Sequence, residues 1–237
     1  LIKEAKSRKA MPIFEILAEY VDFKTNFLSL IAPIIKVLDE SPNFTKIQQC
    51  EDLLSRISSS LMKNKTVEAT QIFMFLYSIT NRGIRLSSKV KINDDKEFRD
   101  YGASLSCEAT KKSKRQAKLM NFKVDMYWHK SFQTIGSKKT EEISGRVMAS
   151  FGLQCLKKAL KNKDVIKIEE ITSEEQKQEL IERLDPFVIL ILNSFKTYHN
   201  PIVVTSLNIM SQIVTLNLPS FQDNLGRFLS RIFKLFE

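Results

Sequence analysis

The sequence predicts an all-α protein: an α-solenoid of stacked helix pairs with a long basic insertion. Three observations carry this. Apolar residues recur at steps of three and four, the period of a helix face. Six Gly and six Pro in 237 residues are few for a β-rich chain of this size. Helix pairs also recur, with Leu184 and Gly226 standing 42 residues apart at equivalent places. That spacing falls within the roughly 40–47-residue period of HEAT and armadillo repeats.

The first element, AMPIFEILAEY (10–20), places Ile13, Ile16, Leu17 and Tyr20 on one helix face, the expected buried side. The next, IAPIIKVLDESPNFTKIQQCEDLLSRI (31–57), opens near Pro33, runs through an apolar helix and a polar turn, and continues as a second helix. TVEATQIFMFLYSITNRGI (66–84) follows, with Thr66 as expected N-cap and Gly83 as stop signal. Residues 1–85 are therefore expected to be helical repeats.

Residues 86–142 break the pattern and are expected to form a basic, partly disordered insertion. Fourteen Lys/Arg face six Asp/Glu between Arg85 and Lys139, which places +8 of the net +10 charge there. The densest part, TKKSKRQAKLMNFK (110–123), carries Lys111, Lys112, Lys114, Arg115, Lys118 and Lys123 without one acid. These six are the candidate RNA-binding residues, suited to phosphate contacts. KKSKR fits a nuclear-localisation or nucleic-acid-binding cluster equally well, and a solvated linker is the plainer alternative. Just downstream, Phe122, Tyr127, Trp128 and Phe132 interleave with Lys123, His129 and Lys130. Such aromatics can stack single-stranded bases; the favoured reading is that they pin the loop back onto the solenoid.

Helical repeats resume over 143–237. ISGRVMASFGLQCLKKALKN (143–162) groups Val147, Phe151, Cys155 and Leu156, and ends in lysines. KKALKNK (157–163) is a second positive patch, or simply a complement to the helix dipole, the favoured reading. EEITSEEQKQELIE (169–182) reads as a surface helix capped by Ser173. A new pair opens at Leu184, near Pro186. Its second helix, 200–217, is rich in Ile, Val and Thr, residues that favour strands. The period overrides composition: Val203, Leu207, Met210 and Val214 form the apolar stripe, and Thr205, Asn208, Gln212 and Thr215 a polar one. Asn200 is the expected N-cap, Pro201 opens the first turn and Pro219 ends the helix. No charged residue lies between Lys196 and Asp223, as befits the inner helix of a layered array. RFLSRIFKLF (227–236) is basic and amphipathic; its repeat position favours a core-facing helix over a membrane-surface one.

Several function classes drop out. Apolar runs such as FVILIL (187–192) are too short to span a bilayer, and the start carries no signal-peptide pattern. The chain opens on Leu and breaks off in a helical pattern, so it reads as a fragment of a longer protein. Cys50, Cys107 and Cys155 lie about fifty residues apart with no CxxC pair, which suggests neither zinc nor redox chemistry and fits a reducing compartment. Cys50 and Cys155 fall at apolar helical positions and are expected to be buried thiols. His129 and His199 have no metal-ligating neighbour at helical spacing. There is no phosphate-binding glycine loop, GxSxG or HExxH. No catalytic residue, metal site or cofactor is expected.

The residues also carry a resemblance. PIIKVLDESPNFTKIQQCEDLLSRISSSLMKN (33–64) and IFMFLYSITNRGI (72–84) resemble the DRIM (down-regulated in metastasis) family, the very large HEAT-repeat scaffolds called small-subunit processome component 20. The order continues with a basic variable insertion, FGLQCLKKALK (151–161), LDPFVILILNSF (184–195) and LNLPSF (216–221). The resemblance implies a non-enzymatic scaffold of the nucleus and nucleolus, part of a large ribonucleoprotein complex. It would bind pre-ribosomal RNA and ribosome-assembly proteins during maturation of small-subunit rRNA, with no small-molecule substrate and no membrane. Two other readings remain: a protein-only helical scaffold, such as a nuclear transport receptor or coat-like solenoid, and a helical arm of a giant kinase.

Overall fold

The computed structural model describes residues 2–40, 43–87, 138–162 and 174–235. They form eight α-helices: α1 (Ile2–Tyr20), α2 (Phe23–Glu40), α3 (Phe44–Leu61), α4 (Ala69–Ser87), α5 (Lys138–Lys161), α6 (Glu174–Ser194), α7 (Asn200–Ile213) and α8 (Pro219–Phe233). Among the described residues there is no strand; of the region 200–217, 200–213 is α-helical as its period requires, Val214–Leu216 tightens to a 3-10 turn and Asn217 ends it in the left-handed conformation.

The helices stack in two layers. In one, α1 packs on α3, α3 on α5 and α5 on α7; in the other, α4 packs on α6 and α6 on α8. Phe23 and Phe27 bring α2 against Phe75 of α4, at ring-centroid distances of 5.7 and 5.3 Å. Tyr77 and Phe73 of α4 meet Phe187 of α6, and Phe228 of α8 meets Phe195 just beyond α6. This is the stacked array that the repeat spacing predicts, with a continuous apolar core between the layers.

The tightest contact joins α4 to α5. A Cβ placed on Gly83 would lie 2.6 Å from the Ala149 nitrogen and 2.7 Å from the Gly145 oxygen. One on Gly145 would meet the Leu86 Cβ at 2.7 Å, and one on Gly152 would strike Thr80. Residues 80 and 83 thus face 152 and 145–149, and Leu86 and Ser87 face 145, so the two helices run antiparallel. Gly83 is consequently not the stop signal the sequence suggests. It sits inside α4, which continues to Ser87, because the missing side chain is needed for backbone-to-backbone approach.

Several boundaries shift for one reason. Pro12, Pro33 and Pro186 lie inside α1, α2 and α6, not at helix starts. Each removes a backbone hydrogen bond. Burial of Ile34, Ile35 and Leu38 after Pro33, and of Phe187 to Leu192 after Pro186, outweighs that loss. Of the acidic segment expected as a separate helix, residues 174–182 form the first half of α6, and its expected cap Ser173 lies outside the described residues. Thr66 does not cap its own helix, which begins at Ala69. Its hydroxyl accepts from the Phe23 N–H at 3.1 Å, serving the start of α2 instead.

Two buried faces differ from expectation. On α1 the covered side is Phe14, Ala18 and Val21, while Ile13 is 56 % and Tyr20 75 % exposed, with Ile16 and Leu17 exposed beside them. Helices α2 and α3 lie on the Ala18 side, and no described residue covers the other. On α7 the enclosed stripe is Ile202, Ser206, Ile209 and Ile213; Val203 is buried too, Leu207 and Met210 are partly covered, and Val214 is 42 % exposed. Ser206 explains the rotation. It reads as polar in the sequence, but its hydroxyl is buried against the Ser194 hydroxyl at 2.6 Å. The α7 cap position is His199, without a side-chain capping bond, and Asn200 is already helical.

The segments LDPF and LPSF meet in space. Asp185 accepts from the Ser220 N–H at 2.8 Å and from the Ser220 hydroxyl at 2.5 Å, so a residue of α6 caps α8. Phe228 faces the core as the repeat position predicts, whereas Leu225, Leu229 and Phe233 form an exposed apolar stripe.

The glycine crossing gives a direct comparison. Gly83→Ala should lower unfolding stability by about 2 kcal/mol or more, since backbone atoms must move apart. Gly226→Ala, where nothing lies within 4 Å of the added Cβ, should be neutral or stabilising by up to about 1 kcal/mol. Urea midpoints of the two variants check this.

Candidate nucleic-acid interface

The six residues that the sequence singles out, Lys111, Lys112, Lys114, Arg115, Lys118 and Lys123, lie outside the described residues, as do Phe122, Tyr127, Trp128, Phe132 and Cys107. What the structure describes is where their segment attaches. The chain leaves α4 at Ser87 and enters α5 at Lys138, and the antiparallel pairing places both points at one edge of the array.

That edge carries both signs: Lys138 and Lys139 open α5 and Arg85 stands in the last turn of α4, beside four carboxylates. Asp39 and Glu40 end α2, and Glu141 and Glu142 stand in the first turns of α5. Asp39 is only 5 % exposed, and neither carboxylate oxygen has a hydrogen-bond partner. Burial pushes its pKa up to about 6, with repulsion from Glu141 and Glu40 adding to the rise. The nearby Ser144 hydroxyl offsets part of it without reaching hydrogen-bond geometry. Arg146 is already engaged by Glu142 at 2.7 Å. Burial, with the Arg146 charge, lowers the pKa of His199 on the same side.

The opposite edge is basic, and side chains fasten it. Asn64, buried in the α3–α4 loop, donates to the Ala18 and Val21 carbonyls at 2.9 and 2.8 Å and so closes the end of α1. Its Oδ1 accepts from the Thr66 N–H at 2.8 Å. Asn162, just past α5, donates to the Met62 carbonyl at 2.9 Å. Lys158 turns inward and donates to the Ser55 carbonyl at 3.0 Å and to the Ser58 and Ser59 hydroxyls at 2.6 and 2.7 Å. Burial lowers its pKa, and the Lys157 charge adds to this.

Four exposed lysines remain on this fastened backbone: Lys24 in the first turn of α2, Lys63 and Lys65 in the loop, and Lys161 ending α5. Half-buried Lys157 lies one turn before Lys161 on the same face. None of the five forms an ion pair with a described carboxylate. Among the described residues, the acids nearest to them in sequence are Glu19, Asp22 and Glu68. Asp22 is taken up by the Thr25 N–H and hydroxyl, and Glu68 by Gln71. Of these lysines the sequence marks only the pair from KKALKNK. Lys24, Lys63 and Lys65 are isolated along the chain, and only folding brings them beside the end of α5.

Cys50 and Cys155 are free buried thiols, as their helical positions predict, and burial raises both pKa values. Among the described residues no cluster of His, Cys, Asp and Glu could hold a metal ion. No described helix is long and apolar enough to cross a membrane.

Residues 1–80, spanning α1 to most of α4, match the family model of the U3 small nucleolar RNA-associated protein 20 domain. The match supports a small-subunit processome component 20-like family. It agrees with the resemblance carried by residues 33–64 and 72–84, and it implies a processome-related role in ribosome biogenesis. It covers about a third of the 237 residues. No curated protein matches the chain.

The Asp39 environment sets a pH dependence. A carboxyl whose folded pKa is raised stabilises the fold in its protonated form, fully below about pH 4, and that contribution is lost as pH rises through about 6. Asp39→Asn removes the ionisation. Melting temperatures of parent and variant should diverge between pH 4 and pH 7, the parent falling relative to the variant.

Proposed function

We propose that this chain is a non-catalytic helical scaffold of small-subunit ribosome assembly, binding pre-ribosomal RNA and assembly proteins within a large ribonucleoprotein complex of the nucleolus. The observation that carries the reading is the family match over residues 1–80, which falls on helices built as a two-layer array. A stacked array offers a long surface and needs no enclosed active site. The helices on either side serve as helical repeats, and the segment between Ser87 and Lys138, within the expected 86–142, serves as a basic insertion between α4 and α5. Protein partners have apolar surface to meet in the exposed stripes Ile13, Ile16, Leu17 and Leu225, Leu229, Phe233.

Within the insertion, Lys111, Lys112, Lys114, Arg115, Lys118 and Lys123 are assigned to RNA phosphates and not to base edges. Phosphate contacts give affinity without sequence preference. Changing Lys111, Lys112, Lys114, Arg115 and Lys118 together to Gln should weaken binding about equally for unrelated RNAs. The slope of log affinity against log salt should become shallower by about 0.7 for each single-strand phosphate that the variant leaves unneutralised. A salt titration of parent and variant, with thermal melting as control, reads this out. An unchanged slope with intact folding makes the segment a linker or an import signal.

A further inference from the structure

We propose that the basic edge formed by Lys24, Lys63, Lys65, Lys157 and Lys161, with Tyr20, is a contact surface for single-stranded RNA, separate from the insertion. The proposal rests on the reading that the chain binds RNA, and it names where the folded array does so.

Four features point to it. No described carboxylate forms an ion pair with these ammonium groups, and only Asp22 feels the charge of Lys24 at longer range. Lysines held for stability alone would gain by pairing, whereas lysines left open keep their charge available for phosphates.

The backbone beneath them is fixed. Asn64 joins the loop that bears Lys63 and Lys65 to the end of α1, Thr66 joins it to the start of α2 beside Lys24, and Asn162 joins the end of α5 beside Lys161 to Met62. Lys158, bonded to Ser55, Ser58 and Ser59, locks α5 to α3 one turn earlier. Charges on a fixed frame bind a partner with less ordering cost than charges on free loops.

Tyr20 ends α1 on the same edge, between Ala18 and Val21, whose carbonyls Asn64 holds, and it is 75 % exposed. An open aromatic ring at the same end of the array as the lysines suits an unpaired base, which can stack on it. A duplex offers no free base face, and an acidic peptide has no use for the ring.

The span also fits. Adjacent packed helices lie about 8–10 Å apart. The ends of α1, α3 and α5 therefore spread over about 20 Å, room for a few nucleotides of an extended single strand.

The test uses the whole chain, a short oligouridylate and an RNA duplex of equal length. Three forms are compared with the parent: Lys24, Lys63, Lys65, Lys157 and Lys161 all changed to Gln; Lys111, Lys112, Lys114, Arg115 and Lys118 all changed to Gln; and Tyr20→Ala. The edge form should bind oligouridylate at least tenfold more weakly, with a salt slope shallower by about 2 to 3, and should melt as the parent does. Tyr20→Ala should weaken oligouridylate binding about tenfold and leave duplex binding unchanged. The insertion form should lose affinity additively with the edge form when the two are combined. If the parent binds RNA and the edge form keeps its affinity and slope, the edge is not a contact surface and the reading of an RNA scaffold stands without it. If Tyr20→Ala weakens duplex and single strand alike, the stacking role is overturned. If the parent binds neither RNA, the scaffold reading falls and this proposal with it.

Discussion

The approach of α4 to α5 is the constraint on which the array depends. Helix α5 touches α2, α3, α4 and α7, so it joins both layers and both halves of the described chain. It can reach α4 only because Gly83, Gly145 and Gly152 present no side chains where the backbones meet. Glycine costs a helix roughly 1 kcal/mol relative to alanine. Placing three of six glycines inside two helices makes sense only if close packing returns more. The sequence segments that meet here, SITNRGI and SGRVMASFG, lie on either side of residues 88–137, and their fit makes the two halves one array.

Polar side chains then set the direction of each turn. Asn64, Thr66, Asn162 and Asp185 all act on helices other than their own, closing ends that would otherwise leave backbone groups unpaired. Their effect is to hold loops against helix ends, where the charged residues sit. This is how a core made of Phe, Ile and Leu comes to govern surface electrostatics: the lysines at one edge and the carboxylates at the other are placed by caps, and the caps are placed by packing.

Much of the fold is legible in the sequence because helix period survives any composition. The Ile- and Val-rich stretch 200–213 is helical, and Cys50 and Cys155 are buried where their spacing puts them. The departures have physical causes. Proline marks a start in a polar context, yet Pro33 and Pro186 sit mid-helix because the apolar residues after them are enclosed. The enclosed face of α7 is rotated by one position from the apolar stripe because Ser206 is polar by type but satisfied by Ser194. The α1 face differs because apolar spacing shows that a stripe exists and not which stripe has a neighbour. The candidate site is the least legible part. A charge cluster is visible in sequence only when its members are consecutive, as at 111–115, and Lys24, Lys63, Lys65 and Lys161 are neighbours only after folding.

The antiparallel pairing of α4 and α5 has a consequence for how such a chain can change. The cost of closing a connection depends on holding its two ends together, and here the glycine crossing already does so. Doubling the length of a connection between fixed ends adds only about 0.6 kcal/mol. The closure cost of a connection between Ser87 and Lys138 therefore depends only weakly on its length, while the helices that fix its ends stay under strict steric control. A join tolerant of length is set beside glycines that tolerate no side chain.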